Sequence, residues 1–414
     1  MSAASDGIGP HPRSGWVNRF ALLIAALALW LASINLPGPP ITNLDSWHTI
    51  LVDARLHDRQ FGPEIAFTYG PWGFLSLSGY LPDALAEKFA WEVLGKLTLA
   101  ITLVLATARV RGGRRWVLLA AFACGLPFFD NSVGVLIPLL ALVWLLPRDA
   151  APWQRLLAVL WLALFAHFKF TFCLQALAAL LIVTTTACIE RRFRDAALVL
   201  LASTFAYVGF WIAAGQSLAN LPAFCQLSWN LGSGYSWAMS SAPSTAALAA
   251  GIFTLAICAA FLRLIWHADL PLTQRLAAAA IALANGFMAW KHGFTRGDHT
   301  FAFFFFCLFF GLLLAGLFSR RRGLVWHDLD VLGCLAGIAI AGSGLLLHGP
   351  RTALDHWLRF PYELTHLDAW TERFRIALRQ TENTAHDPAL VAAVGDATVD
   401  LINYDQWALL LNGL

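Results

Sequence analysis

Residues 300–318 read TFAFFFFCLFFGLLLAGLF, a run without a charged side chain. A helix of about 20 apolar residues is long enough to cross the hydrocarbon core of a bilayer. The whole chain of 414 residues has the same character, with 58% hydrophobic and 13% charged residues and a mean hydropathy of +0.63. In soluble proteins about a quarter of residues are charged. The sequence therefore predicts a polytopic protein surrounded by membrane lipids, and nothing in it suggests nucleic-acid binding.

Further apolar runs lie on both sides of this stretch. They occupy residues 20–36, 89–108, 116–129, 133–146, 156–168, 171–189, 196–214, 244–265, 276–290 and 331–347. We therefore predict an all-α polytopic membrane bundle of about 11 transmembrane helices, some of them tilted or broken because their runs are short. The first run follows Arg13 and Arg19 and has a signal peptide as its alternative interpretation, but the many later runs favour a retained anchor.

The predicted organisation has three parts. Residues 1–19 form a cytoplasmic N-terminus, residues 20–347 a transmembrane domain with its first outer loop at 37–88, and residues 348–414 an extracytoplasmic C-terminal segment. In that segment an amphipathic helix is predicted from Pro361 to about Gln380, followed by a strand over 397–402. Because one strand cannot bury itself, we predict a short α/β segment and interpret the chain as a truncated form.

Arginines set the predicted orientation, because short cytoplasmic loops carry an excess of Lys and Arg. With a cytoplasmic N-terminus, the cytoplasmic side receives the arginines of residues 13–19, 109–115, 148–155, 191–194, 275 and 320–322. The same threading places residues 44–74, Asp130, Lys169, residues 215–243 and residues 291–299 on the opposite side, together with the C-terminal segment. Every polar cluster of interest is thus predicted at the outer face, which favours a site there.

The first long polar stretch, Leu44–Phe74, reads LDSWHTILVDARLHDRQFGPEIAFTYGPWGF. Its acids Asp45 and Asp53 are eight residues apart, slightly more than two helical turns, so they would share one face of a helix. Trp47 and Leu51 belong to an apolar stripe on the other side. We predict a helix from about 46 to 59 that lies on the bilayer surface with exposed carboxylates. A solvated loop with ordinary surface acids is the alternative.

A second polar cluster, KHGFTRGDH at residues 291–299, separates two apolar runs. Its candidate binding residues are Lys291, His292, Arg296, Asp298 and His299. Lysine and arginine suit a phosphate or pyrophosphate, histidine adds donors near neutral pH, and the two glycines of the segment would let the backbone approach a ligand. Anchoring of two helix ends at the membrane surface is the alternative, but it needs only one or two cations.

Two further regions add candidates. Lys169, in HFKFTF, stands alone between apolar runs, with snorkelling to the surface as its alternative role. Residues 215–243 are predicted to form a long uncharged loop rich in Ser, Asn, Gln, Gly and aromatic residues, as sugar-binding surfaces are. Trp229, Tyr235 and Trp237 are its candidate binding residues, and an interfacial aromatic belt is the alternative. Lys96, inside an apolar run, is predicted to pair with Glu92 one turn earlier.

These segments together resemble the GT-C class of membrane glycosyltransferases, through uncharacterised bacterial multispanning proteins. The resemblance rests on the acidic loop after the first span and on HFKFTF, GQSLANLP, GSGYSWAMS, KHGFTRGDHTFAFF and VGDATVDLINYDQWALLLNGL. It implies an inner-membrane enzyme that takes a sugar from a polyprenyl-phosphate-linked donor at the outer face. It also implies that Asp45, with Asp53 as second candidate, is the catalytic base.

The sequence leaves open whether the protein needs a metal and whether it is an enzyme at all. Many members of that class carry adjacent acids where Asp45 is followed by Ser46, so a metal-independent base is favoured over a bound divalent metal. The seven cysteines show no paired spacing and predict no metal site.

The alternative function is a non-enzymatic transporter, flippase or assembly protein for lipid-linked envelope glycans. A transporter needs polar residues at mid-membrane depth, and the predicted spans carry almost no charge there.

Overall fold

A computed structural model describes residues 12–34, 47–77, 82–110, 113–238 and 240–318, then 338, scattered positions between 354 and 380, 386–395 and 412. Its helices are α1 Pro12–Ser33, α2 Trp47–Leu56, α3 Leu85–Ala90, α4 Lys96–Ala106, α5 Gly113–Gly125, α6 Phe129–Leu140, α7 Pro152–Ala166, α8 Phe170–Ile189, α9 Phe193–Ala213, α10 Leu221–Ala238, α11 Thr245–Trp266, α12 Leu272–Thr295, α13 Thr300–Phe318 and α14 Pro388–Val394. Within these residues there is no strand, and only isolated β-bridges occur. The all-α membrane bundle is confirmed.

Five helices of the described part are long and apolar enough to cross a membrane. They are Leu85–Arg109, which joins α3 to α4 through a π-helical turn at Trp91–Gly95, and α8, α9, α11 and α13. Three shorter apolar helices accompany them, at Asn18–Ser33, Phe129–Leu145 and Pro152–Ala166. The number of eleven spans stays a prediction, and the predicted span at 331–347 lies outside the described residues except for Ile338.

The centre of the bundle is formed by α6 and α13. Helix α6 is buried along almost its whole length, and α13 packs against α5, α6, α11 and α12. The phenylalanine run of α13 is buried, and the ring of Phe309 lies where a side chain on Gly125 of α5 would project, 2.9 Å from its Cβ position. A small residue on one helix and a ring on the next allow the close approach typical of helices packed in a membrane.

The two ends of the bundle differ in their charges. At one end, where α8 ends and α9 and α12 begin, Glu190 accepts hydrogen bonds from Arg148 (3.0 Å), Arg192 (3.1 Å) and Thr273 (2.8 Å). Asp130 at the start of α6, Lys169 before α8 and His292 near the end of α12 lie at the other end. The arginine-rich turns and these polar residues therefore lie at opposite ends, as the threading predicts. Which end faces the cytoplasm stays a prediction.

One predicted contact inside the bundle is confirmed. Lys96 Nζ donates to Glu92 Oε2 at 2.6 Å, and it also donates to the carbonyl of Ser33 in α1 at 2.6 Å. Both side chains are almost fully buried. A lysine and a glutamate one turn apart can meet without help from the rest of the fold, and their pairing makes burial of both charges tolerable.

Other predictions for the loops need correction. Residues 215–243 are not a long loop, because α10 occupies most of them. Helix α2 forms where the sequence predicts a helix, but Thr49, Leu51 and Asp53 are buried by the protein, so the prediction of an exposed carboxylate is wrong for Asp53. In the C-terminal segment, the positions described between 354 and 380 are mostly helical and exposed. The predicted strand at 397–402 lies outside the described residues.

Candidate functional site

Lys169 is positioned by a short backbone pairing with the first polar stretch. Gly70 N donates to Phe168 O at 3.2 Å, and Phe170 N donates to Thr68 O at 2.7 Å. This pairing makes a β-bridge between Tyr69 and Lys169 just before α8 begins. A Cβ on Gly70 would lie 2.5 Å from the carbonyl oxygen of His167, so only glycine permits the approach.

The bridge brings three polar side chains together. Lys169 Nζ donates to Asp130 Oδ2 at 3.0 Å, and the Tyr69 hydroxyl donates to the same oxygen at 3.3 Å. The Lys169 ammonium also lies 4.8 Å from the centre of the Tyr69 ring, within the range of a cation–π contact. Lys169 therefore does not snorkel to the surface, and the described structure assigns it a partly buried partner, Asp130.

Charge and burial set the protonation of this group. Burial lowers the pKa of the Lys169 ammonium, but the charge of Asp130 and the neighbouring Tyr69 outweigh this, and the net pKa is raised above its usual value. Burial, followed by the charge of Asp130, raises the pKa of the Tyr69 phenol. At neutral pH Lys169 is therefore a cation and Tyr69 a neutral hydrogen-bond donor.

A cleft with a volume of about 40 Å³, open on one side, begins at these residues and extends between four helices. Its walls are Asp130, Asn131 and Gly134 of α6, Lys169, Thr171, Phe172 and Gln175 at and in α8, Met288, Ala289 and His292 of α12, and Ala302 and Phe306 of α13. The polar groups lie near the end of the bundle, whereas Phe172, Met288 and Phe306 form apolar walls. A few polar groups set among apolar walls are typical of small-ligand sites.

Two buried oxygens of this cleft have no hydrogen-bond donor among the described residues. They are Asp130 Oδ1 and Gln175 Oε1. Buried polar atoms are normally paired, because an unpaired one costs about 1–3 kcal/mol. The pair of open acceptors is therefore the feature of the cleft that most needs an explanation.

The segment 291–299 reaches the same cleft through His292. Helix α12 continues to Thr295, so Lys291 and His292 belong to its last turns and not to a loop. His292 lines the cleft with Asp130 and Lys169, and its ring centre is 5.2 Å from that of His299. Of the predicted binding residues, Lys169 and His292 therefore line one cleft.

The remaining predicted binding residues lie around His292. Arg296 Nη1 donates to the Tyr235 hydroxyl at 3.3 Å, which joins the segment to α10. Lys291 is exposed and makes no ion pair within the described residues. The side chain of Asp298 falls outside the described part of the chain.

The two glycines of this segment contact the protein itself. A Cβ on Gly293 would lie 2.6 Å from the Cβ of Phe303, and a Cβ on Gly297 would lie 2.8 Å from the carbonyl oxygen of Ala242. Gly293 therefore lets α12 approach α13, and Gly297 lets its turn pair with residues 241–242, where Gly297 N donates to Ser241 O at 3.1 Å. The expectation that these glycines open the backbone to a ligand is replaced by a packing role.

The two predicted catalytic acids are placed differently. Asp53 is buried, its Oδ1 lies 3.1 Å from His57 Nδ1 and its Oδ2 lies 3.6 Å from Arg59 Nε, and it does not line the cleft. Asp45 lies outside the described residues. The nearest described residue after it, Trp47, has its ring centre 4.8 Å from that of Tyr69. A catalytic role for either acid stays a prediction.

Sequence reasoning missed Asp130, Tyr69 and Gln175 as site residues. Asp130 was placed at the outer face but given no role, although an isolated acid and an isolated lysine assigned to the same face are a signal for pairing. Gln175 carries no such signal, because an uncharged residue in an apolar run attracts no attention until its neighbours are known.

Among the described residues there is no group of three or more His, Cys, Asp and Glu side chains that could hold a metal ion. Comparisons of the chain with protein-family models, with curated proteins and with solved structures found no match. The resemblance to GT-C glycosyltransferases therefore stays a prediction, and the function must be argued from the cleft.

Proposed function

We propose that this protein is a membrane glycosyltransferase that uses a polyprenyl-phosphate-linked sugar donor at the end of the bundle that carries the cleft. One observation carries the proposal: a carboxylate with an open oxygen, Asp130 Oδ1, shares the cleft with the Lys169 ammonium and with His292. Transfer of a sugar from a lipid phosphate to a hydroxyl needs a base for the hydroxyl and positive charge or donors for the departing phosphate.

In the proposed reaction Asp130 Oδ1 accepts the proton of the attacking hydroxyl. The hydroxyl oxygen forms the new bond to the anomeric carbon of the donor sugar, while the bond from that carbon to the phosphate oxygen breaks and its electron pair leaves with the phosphate. Lys169 and Tyr69 both bind Oδ2, so they hold the carboxylate in place and leave Oδ1 free to act. This makes Asp130 the proposed base in place of Asp53, whose carboxylate is engaged by His57 and Arg59.

The departing phosphate is assigned to the neighbouring cationic segment. His299 and Arg296 follow His292 along the chain, and Arg296 is oriented by Tyr235. His292 lines the cleft with Lys169 and Asp130, and its ring lies beside that of His299. The proposed base and the proposed phosphate site are thus neighbours, as a single transfer step requires.

The test is transfer in reconstituted bilayers with a polyprenyl-phosphate-linked radiolabelled hexose and a mixture of envelope glycans as acceptor. Asp130→Asn keeps the shape and both hydrogen bonds to Oδ2 but removes the base, so turnover should fall about 10²–10⁴-fold. Asp58→Asn is the matched control, because Asp58 is an exposed acid whose side chain is 79% accessible. Full transfer by a correctly inserted Asp130→Asn variant would show that Asp130 is not the base.

The alternative, a flippase for lipid-linked glycans, has one observation in its favour. Below the cleft, Asn285 of α12 is buried, and its Oδ1 also has no donor among the described residues. Polar groups deep in the bundle are expected of a translocation path. In the same vesicles, movement of a labelled lipid-linked sugar between leaflets without any transfer would select this alternative and reject the glycosyltransferase.

A further inference from the structure

Gln175 lies one turn deeper in the cleft than the polar residues at its opening. It follows Thr171 and Phe172 on the same face of α8, and only 4% of the residue is exposed. Its amide faces Gly134 of α6, where a Cβ would lie 3.8 Å from Oε1 and 3.9 Å from Nε2. Gly134 follows Asp130 by one helical turn, so the amide and the carboxylate lie on neighbouring levels of one wall.

The two open acceptors define what a ligand must supply. Asp130 Oδ1 and Gln175 Oε1 are both buried and lack donors within the described structure, so a ligand that fills the cleft must donate at two levels. A phosphate oxygen cannot donate, and the hydroxyl of a serine or threonine side chain satisfies only one level. An ammonium ion would donate, but Lys169 already brings a positive charge to Asp130.

We infer that the cleft binds a polyhydroxylated ring, with one hydroxyl donating to Asp130 Oδ1 and a second donating to Gln175 Oε1. A hydroxyl both donates and accepts, so it also suits the amide nitrogen of Gln175 and the Lys169 ammonium. The apolar walls at Phe172, Met288 and Phe306 match the C–H faces of such a ring. Gln175 is then a specificity-determining residue that selects an acceptor with two hydroxyls over one with a single hydroxyl.

This inference rests on the proposed function only for its statement that the ring is the sugar acceptor. In that case the ring hydroxyl that donates to Asp130 attacks the donor sugar, and Gln175 positions the second hydroxyl of the same ring. Ring binding itself needs no transfer, so the test is a binding measurement. Failure of transfer with intact ring binding rejects the proposed function alone, whereas failure of ring binding rejects the present inference.

The experiment is saturation-transfer NMR on the full chain in lipid nanodiscs. The probes are the methyl glycosides of glucose, galactose and mannose, each paired with its per-O-methylated form, which keeps the ring and loses every hydroxyl donor. We expect at least one free glycoside to bind about tenfold or more tightly than its methylated form, because each lost bond to a buried acceptor has a cost of that order. In the Gln175→Met variant we expect binding of that glycoside to weaken about tenfold.

The control variant is Thr184→Val, which removes a hydroxyl from the same helix outside the cleft, where Thr184 Oγ1 donates to Leu180 O. It should bind the glycoside as the unmodified protein does. The inference is wrong if no free glycoside binds saturably, if free and methylated forms bind equally, or if Gln175→Met leaves glycoside binding unchanged. If Gln175→Met fails to fold, the comparison of free and methylated glycosides on the unmodified protein still tests the inference.

Discussion

Replacing Lys169 by methionine tests whether the Asp130 carboxylate depends on its buried partner. The change removes one of the two donors to Asp130 Oδ2 and leaves an anion held only by Tyr69. Breaking a fully buried ion pair in this way costs about 3–5 kcal/mol. Because 29% of the Asp130 side chain and 14% of the Lys169 side chain are accessible, we expect a smaller loss of about 2–3 kcal/mol in the free energy of unfolding.

The double variant distinguishes charge from packing. Asp130→Asn in the Lys169→Met background removes the unpaired anion, so about 1–2 kcal/mol should return, giving a coupling energy in the range found for directly contacting residues. Stability would be measured by chemical unfolding of purified protein in one detergent. The double variant should show no transfer activity, because it lacks the proposed base, Asp130.

The exposed pair Arg375–Glu372 provides the comparison, since both of its side chains are more than half accessible. Arg375→Ala should change the free energy of unfolding by less than about 1 kcal/mol, as surface pairs do. If Lys169→Met costs no more than Arg375→Ala, or if the double variant is as unstable as the sum of the single ones, the carboxylate is solvated and the buried pairing argued above is wrong.

Three further predictions concern other parts of the molecule. Burial raises the pKa of Glu190, but hydrogen bonds from two arginines and a threonine outweigh this and hold the pKa at about 2. Because solvent screens these exposed partners, its contribution to the free energy of unfolding should be about 1–2 kcal/mol. This contribution should be complete above about pH 4.5 and lost as the pH falls towards about 2, and pH-dependent unfolding should show no such loss in Glu190→Gln. Gln216 Oε1 accepts from Phe61 N at 2.7 Å, so Gln216→Ala should leave that N–H unpaired and lower the free energy of chemical unfolding by about 1–3 kcal/mol. An unchanged free energy of unfolding would contradict this and show that water replaces the amide. Gly70→Ala should move the chain away from His167 and weaken glycoside binding in nanodiscs, and unchanged affinity would show that the bridge does not position Lys169.

The sequence predicts those contacts that local spacing alone can make. Glu92 and Lys96 are one turn apart on one helix, so their pairing follows from helix geometry. Asp130 and Lys169 are 39 residues apart in the chain and meet only because α6 and α8 begin at the same end of the bundle. The threading of apolar runs gives that shared end, but it does not give which helices are neighbours.

The prediction that the Asp53 carboxylate is exposed is wrong for a related reason. Its spacing from Asp45 indicates a common helix face, and a polar face is normally exposed to solvent. The chain after α2 is instead held against the turn between α9 and α10, where Gln60 Oε1 accepts from Ser217 N at 2.9 Å and Gln216 Nε2 donates to Arg59 O at 3.1 Å. These contacts join residues more than 150 positions apart, and no periodicity within either segment encodes them.

The two ends of the bundle show how differently this protein treats a carboxylate. At the arginine-rich end both oxygens of Glu190 are bonded, Oε2 by Arg148 and Arg192 and Oε1 by Thr273 at 2.8 Å. At the other end Asp130 receives two donors on Oδ2 and none from the described residues on the buried Oδ1. The bundle can therefore satisfy both oxygens of an acid where the acid serves only to join helices. Leaving one oxygen of Asp130 open, in the same cleft as the open amide oxygen of Gln175, costs stability that packing alone does not require. Such a cost is expected at a site whose missing donors come from a ligand, and this contrast supports the cleft as the place where the protein acts.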